Sequence, residues 1–258
     1  VRYRESDAGQ DMRFSELSGD LQARVDAAQG RDAKQAVLDA WKAENPERYA
    51  ELEKMREAAL KAAGYTSPRL FRGSVEDDGV ELQESFEAGG GIFLTDSEDV
   101  AAIFTFPREF GEIITSQYDE ETGDYVDVEP GPIIQAYAKL ENPLVLTRDT
   151  EVDSKDFVID SGLQSKTIKQ AKASGKDGIV VKDTKEGVGE WMEEGTTYVV
   201  FKSSQVKLTE PLSLDAAGRL IPPSQWADET NPDIRYSIQA IPVTPEQERI
   251  AHDTIADV

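Results

Sequence analysis

The stretch "RLFRGS", residues 69–74, places an arginine inside a short apolar strand and directly before a glycine. It follows a long helical pattern and a Ser67-Pro68 break, and it precedes an acidic loop. Proline disfavours helical backbone in the residue before it, so the helix pattern cannot run through this point. The chain therefore divides here, with helices before and strands after. That order, rather than strict βαβ alternation, predicts an α+β fold.

Upstream, "DLQARVDAAQG" puts Leu21, Val25 and Ala28 on one helical face, with Gly30 as a stop. "DAKQAVLDAWKAEN" gathers Val37, Leu38 and Trp41 before the Asn45-Pro46 break. "PERYAELEKMREAALKAAGY" opens on Pro46, turns Tyr49, Leu52, Met55, Ala59 and Leu60 inward, and ends at Gly64. Downstream, "AGGGIFLTDSEDVAAIFT" reads as a strand near residues 92–94, then a helix capped by Asp96 or Ser97 with Glu98 and Asp99 in its first turn. "GEIITSQYDEETGDYVDVEPG" reads as an acidic hairpin turning near Thr122-Gly123, an insertion with no assigned role. A strand ending at Asn142-Pro143, a helix up to Gly175, a buried strand at residues 179–181 and two strands joined around Ser203-Ser204 complete the body.

Composition narrows the chemistry. The chain has 258 residues, 28 Lys plus Arg against 51 Asp plus Glu, and a net charge of −23. Such a surface repels nucleic acid and anionic membranes, although a local basic pocket can still hold a phosphate. No apolar run is long enough to span a bilayer. With no cysteine and His252 as the lone histidine, thiolate nucleophiles, histidine triads and multi-histidine metal sites are excluded within the chain, and no metal is expected. Neither G-x-G-x-x-G after a strand nor G-x-x-x-x-G-K-[ST] occurs.

The flanks look different from the body. Residues 1–19 are polar and read as a linker, as do residues 215–258. "VRYR" at 1–4, "MRFS" at 12–15 and "IRYS" at 234–237 share an aliphatic-Arg-aromatic-polar pattern, a repeated punctuation expected between domains of a longer polyprotein. The expected organisation is a linker (1–19), an N-terminal helical segment (20–64), a body (65–214) and a tail (215–258).

Taken in order, "AAGY", "LFRGS", "GIFLTDSEDVAAIF", "IIQAYAKLENPLVL", "KDGIVVKD", "YVVFKSSQVKLT", "GRLIPPSQW" and "NPDIRYS" resemble the ADP-ribosyltransferase-like domain of phage-type polyvalent proteins. The resemblance covers roughly residues 51–237. It implies a split β-sheet body, NAD as substrate, and transfer of ADP-ribose to a host macromolecule with release of nicotinamide. Arg72 would position a phosphate or ribose, as a guanidinium can bond such oxygens in pairs. Gly73 and Ser74 follow it in the motif, with Gly73 leaving its backbone bare for the nicotinamide amide. Phe93, Thr95 and Phe104 would line the nicotinamide pocket. Gln205 would bond the ribose hydroxyl where the superfamily usually carries Glu, and Arg72 stands where relatives carry His. An uncharged amide stabilises an oxocarbenium less well than a carboxylate and cannot act as a general base.

Each of these residues has a plainer reading as well. Arg72 could pair with an acid at a strand edge, Phe93 and Phe104 could be core, Thr95 could lead into a helix cap, and Gln205 could belong to a turn. "KEGVGEWMEEG", 185–195, reads as a long loop whose Trp191 and Glu190 form either a lid for acceptor recognition or a solvated segment. The resemblance further implies a host protein acceptor rather than nucleic acid, flanking polyprotein domains, and a phage-encoded or virion-delivered protein acting in the bacterial host cytoplasm. A catalytically degraded module that only binds, or an NAD glycohydrolase, are the alternatives.

Overall fold

The computed structural model describes residues 7–73, 91–105, 108–109, 112–113, 116–119, 124–128, 130–147, 161–188, 191–215 and 217–227. Ser74 and Glu190 lie outside the described residues, as does the Trp191 side chain.

Four helices come first: α1 (Asp7–Ser18), α2 (Leu21–Ala27), α3 (Arg31–Glu44) and α4 (Pro46–Ala62). The apolar spacing expected for α2 to α4 holds, with Leu21, Val25, Leu38, Trp41 and Leu52 forming one buried cluster. Two of the expected linkers are not linkers throughout. Most of residues 1–19 is α1, and Phe14 enters the same cluster, its ring meeting Trp226 edge-on at 5.7 Å. Residues 212–226 return from the body to supply Leu212, Ile221 and Trp226 to that core. Asp11 fastens the return by accepting from the Ser224 amide at 2.9 Å and from its hydroxyl at 2.7 Å. The helices therefore have no complete core until the tail arrives.

Buried polar groups bind this unit to the sheet. Arg56 of α4 donates from Nε to the Leu208 carbonyl at 3.0 Å, and its guanidinium lies 5.3 Å from the Trp226 ring. Burial pulls the Arg56 pKa down to about 10, against the raising influence of Glu210. Glu210 in turn accepts from Lys42 at 2.6 Å and from the Tyr49 hydroxyl at 3.1 Å.

The body is a mixed α+β layer. Its strands are β1 (Leu70–Gly73), β2 (Ile92–Thr95), β7 (Ile133–Ala138), β8 (Leu144–Leu146), β9 (Gly178–Val188), β10 (Trp191–Val200) and β11 (Val206–Leu208), in the order β11-β7-β1-β2-β10-β9-β8. Between β2 and β7 lie helix α5 (Glu98–Ile103) and two separate ribbons, β3–β4 (Arg108–Glu109, Glu112–Ile113) and β5–β6 (Ser116–Asp119, Asp124–Asp127). Helix α6 (Ser161–Ala173) precedes β9. All pairings in the seven-stranded sheet are antiparallel except β8 with β9.

The centre of the sheet is its weakest seam. β1 and β2 share the single register pair Phe71↔Thr95, whereas β1–β7 and β2–β10 each share four. The sheet coils there, so that Leu70, Ala136, Ala138 and Val206 from one half pack against Ile92, Leu94 and Val200 from the other. Gly178 lets the coil close, since a Cβ there would lie 2.5 Å from Leu140 Cδ2 and 2.7 Å from the Val199 carbonyl. On the outer face α6 lays Ile168 and Ala171 over Leu146, Ile179, Val181 and Val199.

The segment 185–195, expected as a long loop, is largely strand. β9 and β10 remain in register from Val200↔Gly178 out to Trp191↔Val188, with a shift between Gly195 and Thr197. The Thr184 hydroxyl donates to the Gly195 carbonyl at 2.7 Å, and Lys185 pairs with Glu194 at 2.9 Å. Cross-strand pairs of this kind stabilise a ribbon whose glycines and charges hide its alternation.

Candidate functional site

Strand register sorts the candidate residues onto two faces. The Phe71↔Thr95 pair sets Arg72 beside Leu94, and the neighbouring registers extend that row to Tyr198 on one side and Ile134 on the other. The row Tyr198–Leu94–Arg72–Ile134 lies on the inner face of the coiled sheet, continuous with the Leu70 and Val200 cluster. Arg72 is half-buried and donates from Nη1 to the Phe93 carbonyl at 3.3 Å, and it makes further interactions besides. Tyr198 is also half-buried. Burial, with the nearby Asp96 carboxylate, pushes its phenol pKa up, so the ring keeps its proton across the physiological range.

Gly73, Phe93 and Thr95 occupy the opposite face. A Cβ on Gly73 would lie 1.9 Å from the Ala101 carbonyl oxygen and 3.1 Å from the Phe104 carbonyl carbon. The bare backbone of Gly73 is thus filled by α5 itself. Phe104 follows the last turn of α5, its amide donating to the Ala101 carbonyl at 3.0 Å. Phe93 packs beside Leu144 and Phe201 on the α6 cluster. Thr95 is buried, and its hydroxyl oxygen accepts from the Ser97 amide at 3.2 Å. Ser97 then caps α5 by accepting from the Val100 amide at 3.2 Å, as the sequence predicts.

Gln205 sits elsewhere, in the 3-10 turn Ser203–Gln205 between β10 and β11. Its amide oxygen accepts from the Phe201 amide at 3.1 Å and the Lys202 amide at 2.9 Å. Its amide nitrogen donates to the Lys139 carbonyl at 3.3 Å and the Asp177 carbonyl at 2.7 Å. A glutamine amide has two acceptor sites and two donors, and backbone occupies all four. Lys139 directly follows β7 and is five residues from Ile134, the partner of Arg72, or roughly 17 Å of extended chain. In this structure Gln205 acts as a clamp across the two halves of the sheet, the turn role that its sequence position also allowed.

The structure thus brings Gly73, Phe93, Thr95 and Phe104 to one face, places Arg72 on the other, and sets Gln205 at the far end of the coil. Tyr198 was missed by the sequence reading. The alternation in "TTYVVF" already puts it opposite Val199, but its alignment with Arg72 depends on strand order. Among the described residues no group of three or more His, Asp or Glu could hold a metal ion, and no helix is long and apolar enough to cross a membrane. No family model matches the chain, and no curated protein or solved structure is significantly similar to it.

Proposed function

We propose that the chain is an NAD-dependent ADP-ribosyltransferase that binds the dinucleotide on the inner face of the coiled sheet. The observation that supports this reading is Arg72, a half-buried guanidinium on that face in a chain of net charge −23. It stands within the ordered set of motifs that resembles the family. In the reaction the bond between nicotinamide nitrogen and ribose C1′ breaks, nicotinamide leaves with the bonding electrons, and an acceptor nucleophile bonds C1′ and releases its proton. Arg72 would hold pyrophosphate by charge-assisted hydrogen bonds. Tyr198, kept protonated by its surroundings, would offer a neutral hydroxyl on the same face. The acceptor is a host protein rather than a nucleic acid, because the acidic surface repels phosphates. The setting proposed is a phage or mobile-element polyprotein acting in the bacterial cytoplasm.

One observation favours a second reading. With Gln205 committed to backbone, the superfamily's ribose contact has no counterpart at that position, which suits a module that binds NAD without transferring it. Calorimetric NAD titration and nicotinamide release, with and without host lysate, separate the two. Arg72→Ala should weaken binding about 10- to 100-fold, the worth of hydrogen bonds to a charged group. Release with a labelled acceptor supports transfer, and release without label supports a glycohydrolase. Binding without release supports the module, and no binding by wild type refutes both readings.

A further inference from the structure

We propose that the β5–β6 ribbon is a docking arm for an extended, lysine- or arginine-bearing segment of a partner protein. This inference does not rest on the NAD reading. Tyr118 and Tyr125 face each other directly across the ribbon, their ring centroids 5.6 Å apart at 66°. Folding leaves them open: Tyr118 is 57% exposed, Tyr125 75% and Val126 37%. Two large aromatic rings and a valine held in water on one short ribbon are a poor solution unless something covers them. Among the described residues β5 and β6 pair with each other and with no third strand, and a two-stranded ribbon is a surface to which an extended peptide can add.

Charge selects the occupant. Asp119, Asp124 and Asp127 belong to the ribbon's strands, and the sequence carries no Lys or Arg between residues 109 and 138. Asp124 is exposed next to Tyr125. Ammonium and guanidinium groups stack on tyrosine faces, and an acidic stretch of chain free of Lys and Arg raises their local concentration. Phosphates of nucleic acid or anionic lipid are repelled by the same field. A basic segment in strand conformation satisfies the ribbon, the rings and the carboxylates together.

The test is fluorescence anisotropy of the full chain with an alternating Lys-Thr peptide of about nine residues, in about 150 mM salt to screen distant charge. A Glu-Thr peptide of equal length serves as the control. Wild type should bind the first and not the second. Tyr118→Val with Tyr125→Val keeps charge and strand propensity and should weaken binding about tenfold through loss of two ring contacts. Tyr118→Phe with Tyr125→Phe keeps the ring faces and should bind within about threefold of wild type. Wild-type affinity in the valine pair would show that net charge alone attracts the peptide, and would overturn the proposal. Equal loss in the phenylalanine pair, or no binding by wild type, would overturn it as well.

Discussion

Replacing Gln205 with alanine distinguishes a clamp from a ligand contact. The substitution removes four hydrogen bonds and strands two amides and two carbonyls, at Phe201, Lys202, Lys139 and Asp177. Lys202 is exposed, so water replaces its bond cheaply, and the 3.3 Å bond to Lys139 is weak. The bonds to Phe201 and Asp177 are part-buried and well formed. At about 1 kcal/mol net for a bond and 1–3 kcal/mol for a stranded buried partner, the loss sums to roughly 2–4 kcal/mol. Against a typical stability of about 5–15 kcal/mol that is a large fraction. In urea, with a slope of about 3 kcal/mol per molar, the midpoint should fall by about 1 M at unchanged slope. A midpoint within about 0.2 M of wild type would refute the clamp. Unchanged stability together with lost nicotinamide release would return Gln205 to the ribose.

Other perturbations follow from the same packing. Gly73→Ala drives a methyl into the Ala101 carbonyl at 1.9 Å, and because the obstacle is backbone α5 must shift; a destabilisation of about 2–3 kcal/mol is expected in thermal unfolding. Trp226→Ala opens the core that α1 to α4 share with the returning tail, and should lower stability by about 3–5 kcal/mol and expose residues 7–62 to limited proteolysis. Asp215 is partly desolvated, which alone would raise its pKa, yet hydrogen bonds from the Arg219 amide and guanidinium and from the Ala217 amide bring the net shift down. Its folded pKa lies below its unfolded one, so it contributes stability above the ordinary aspartate range and loses it as pH falls through the lowered value. Asp215→Asn should therefore lower the urea midpoint at neutral pH, and the gap to wild type should close on acidification.

The helical segment was legible in the sequence because its apolar residues repeat with the helix period, and α4 begins at Pro46 as read. The α+β order followed from the switch of texture at residues 64–70, and the buried strand at 179–181 from its apolar run. What stayed hidden is non-local. α1 carries few inward apolar residues, Phe14 chief among them, and its stripe has meaning only against Trp226, 212 residues later. Leu212, Ile221 and Trp226 have no common period, because turns and not a single element present them to the helices. The long β9–β10 hairpin was obscured by Gly187, Gly189 and Gly195, which interrupt the alternation that strand reading depends on. The candidate site was legible as a set of residues but not as a place, since period-two alternation fixes which neighbours share a face, while strand order decides which faces meet.

That distinction changes what the motif residues can mean. Gly73 admits a helix backbone, Thr95 starts the turn into that helix, and Gln205 locks the coil. Each has a structural reason to be what it is, whether or not a dinucleotide binds. A chain that had lost all chemistry would still be stabilised by them. Arg72 differs from these three. The inner row it shares with Leu94 and Ile134 is otherwise apolar at those positions, and a half-buried cation there carries a desolvation penalty that an aliphatic side chain would avoid. Arg72→Met keeps much of the volume but removes the charge and the bond to the Phe93 carbonyl, so its urea midpoint should fall by no more than about 0.5 M if the arginine is kept for a ligand. If that variant also loses NAD affinity, the charge serves a ligand. If it is destabilised by more than about 2 kcal/mol, the arginine belongs with the other three, as part of the frame.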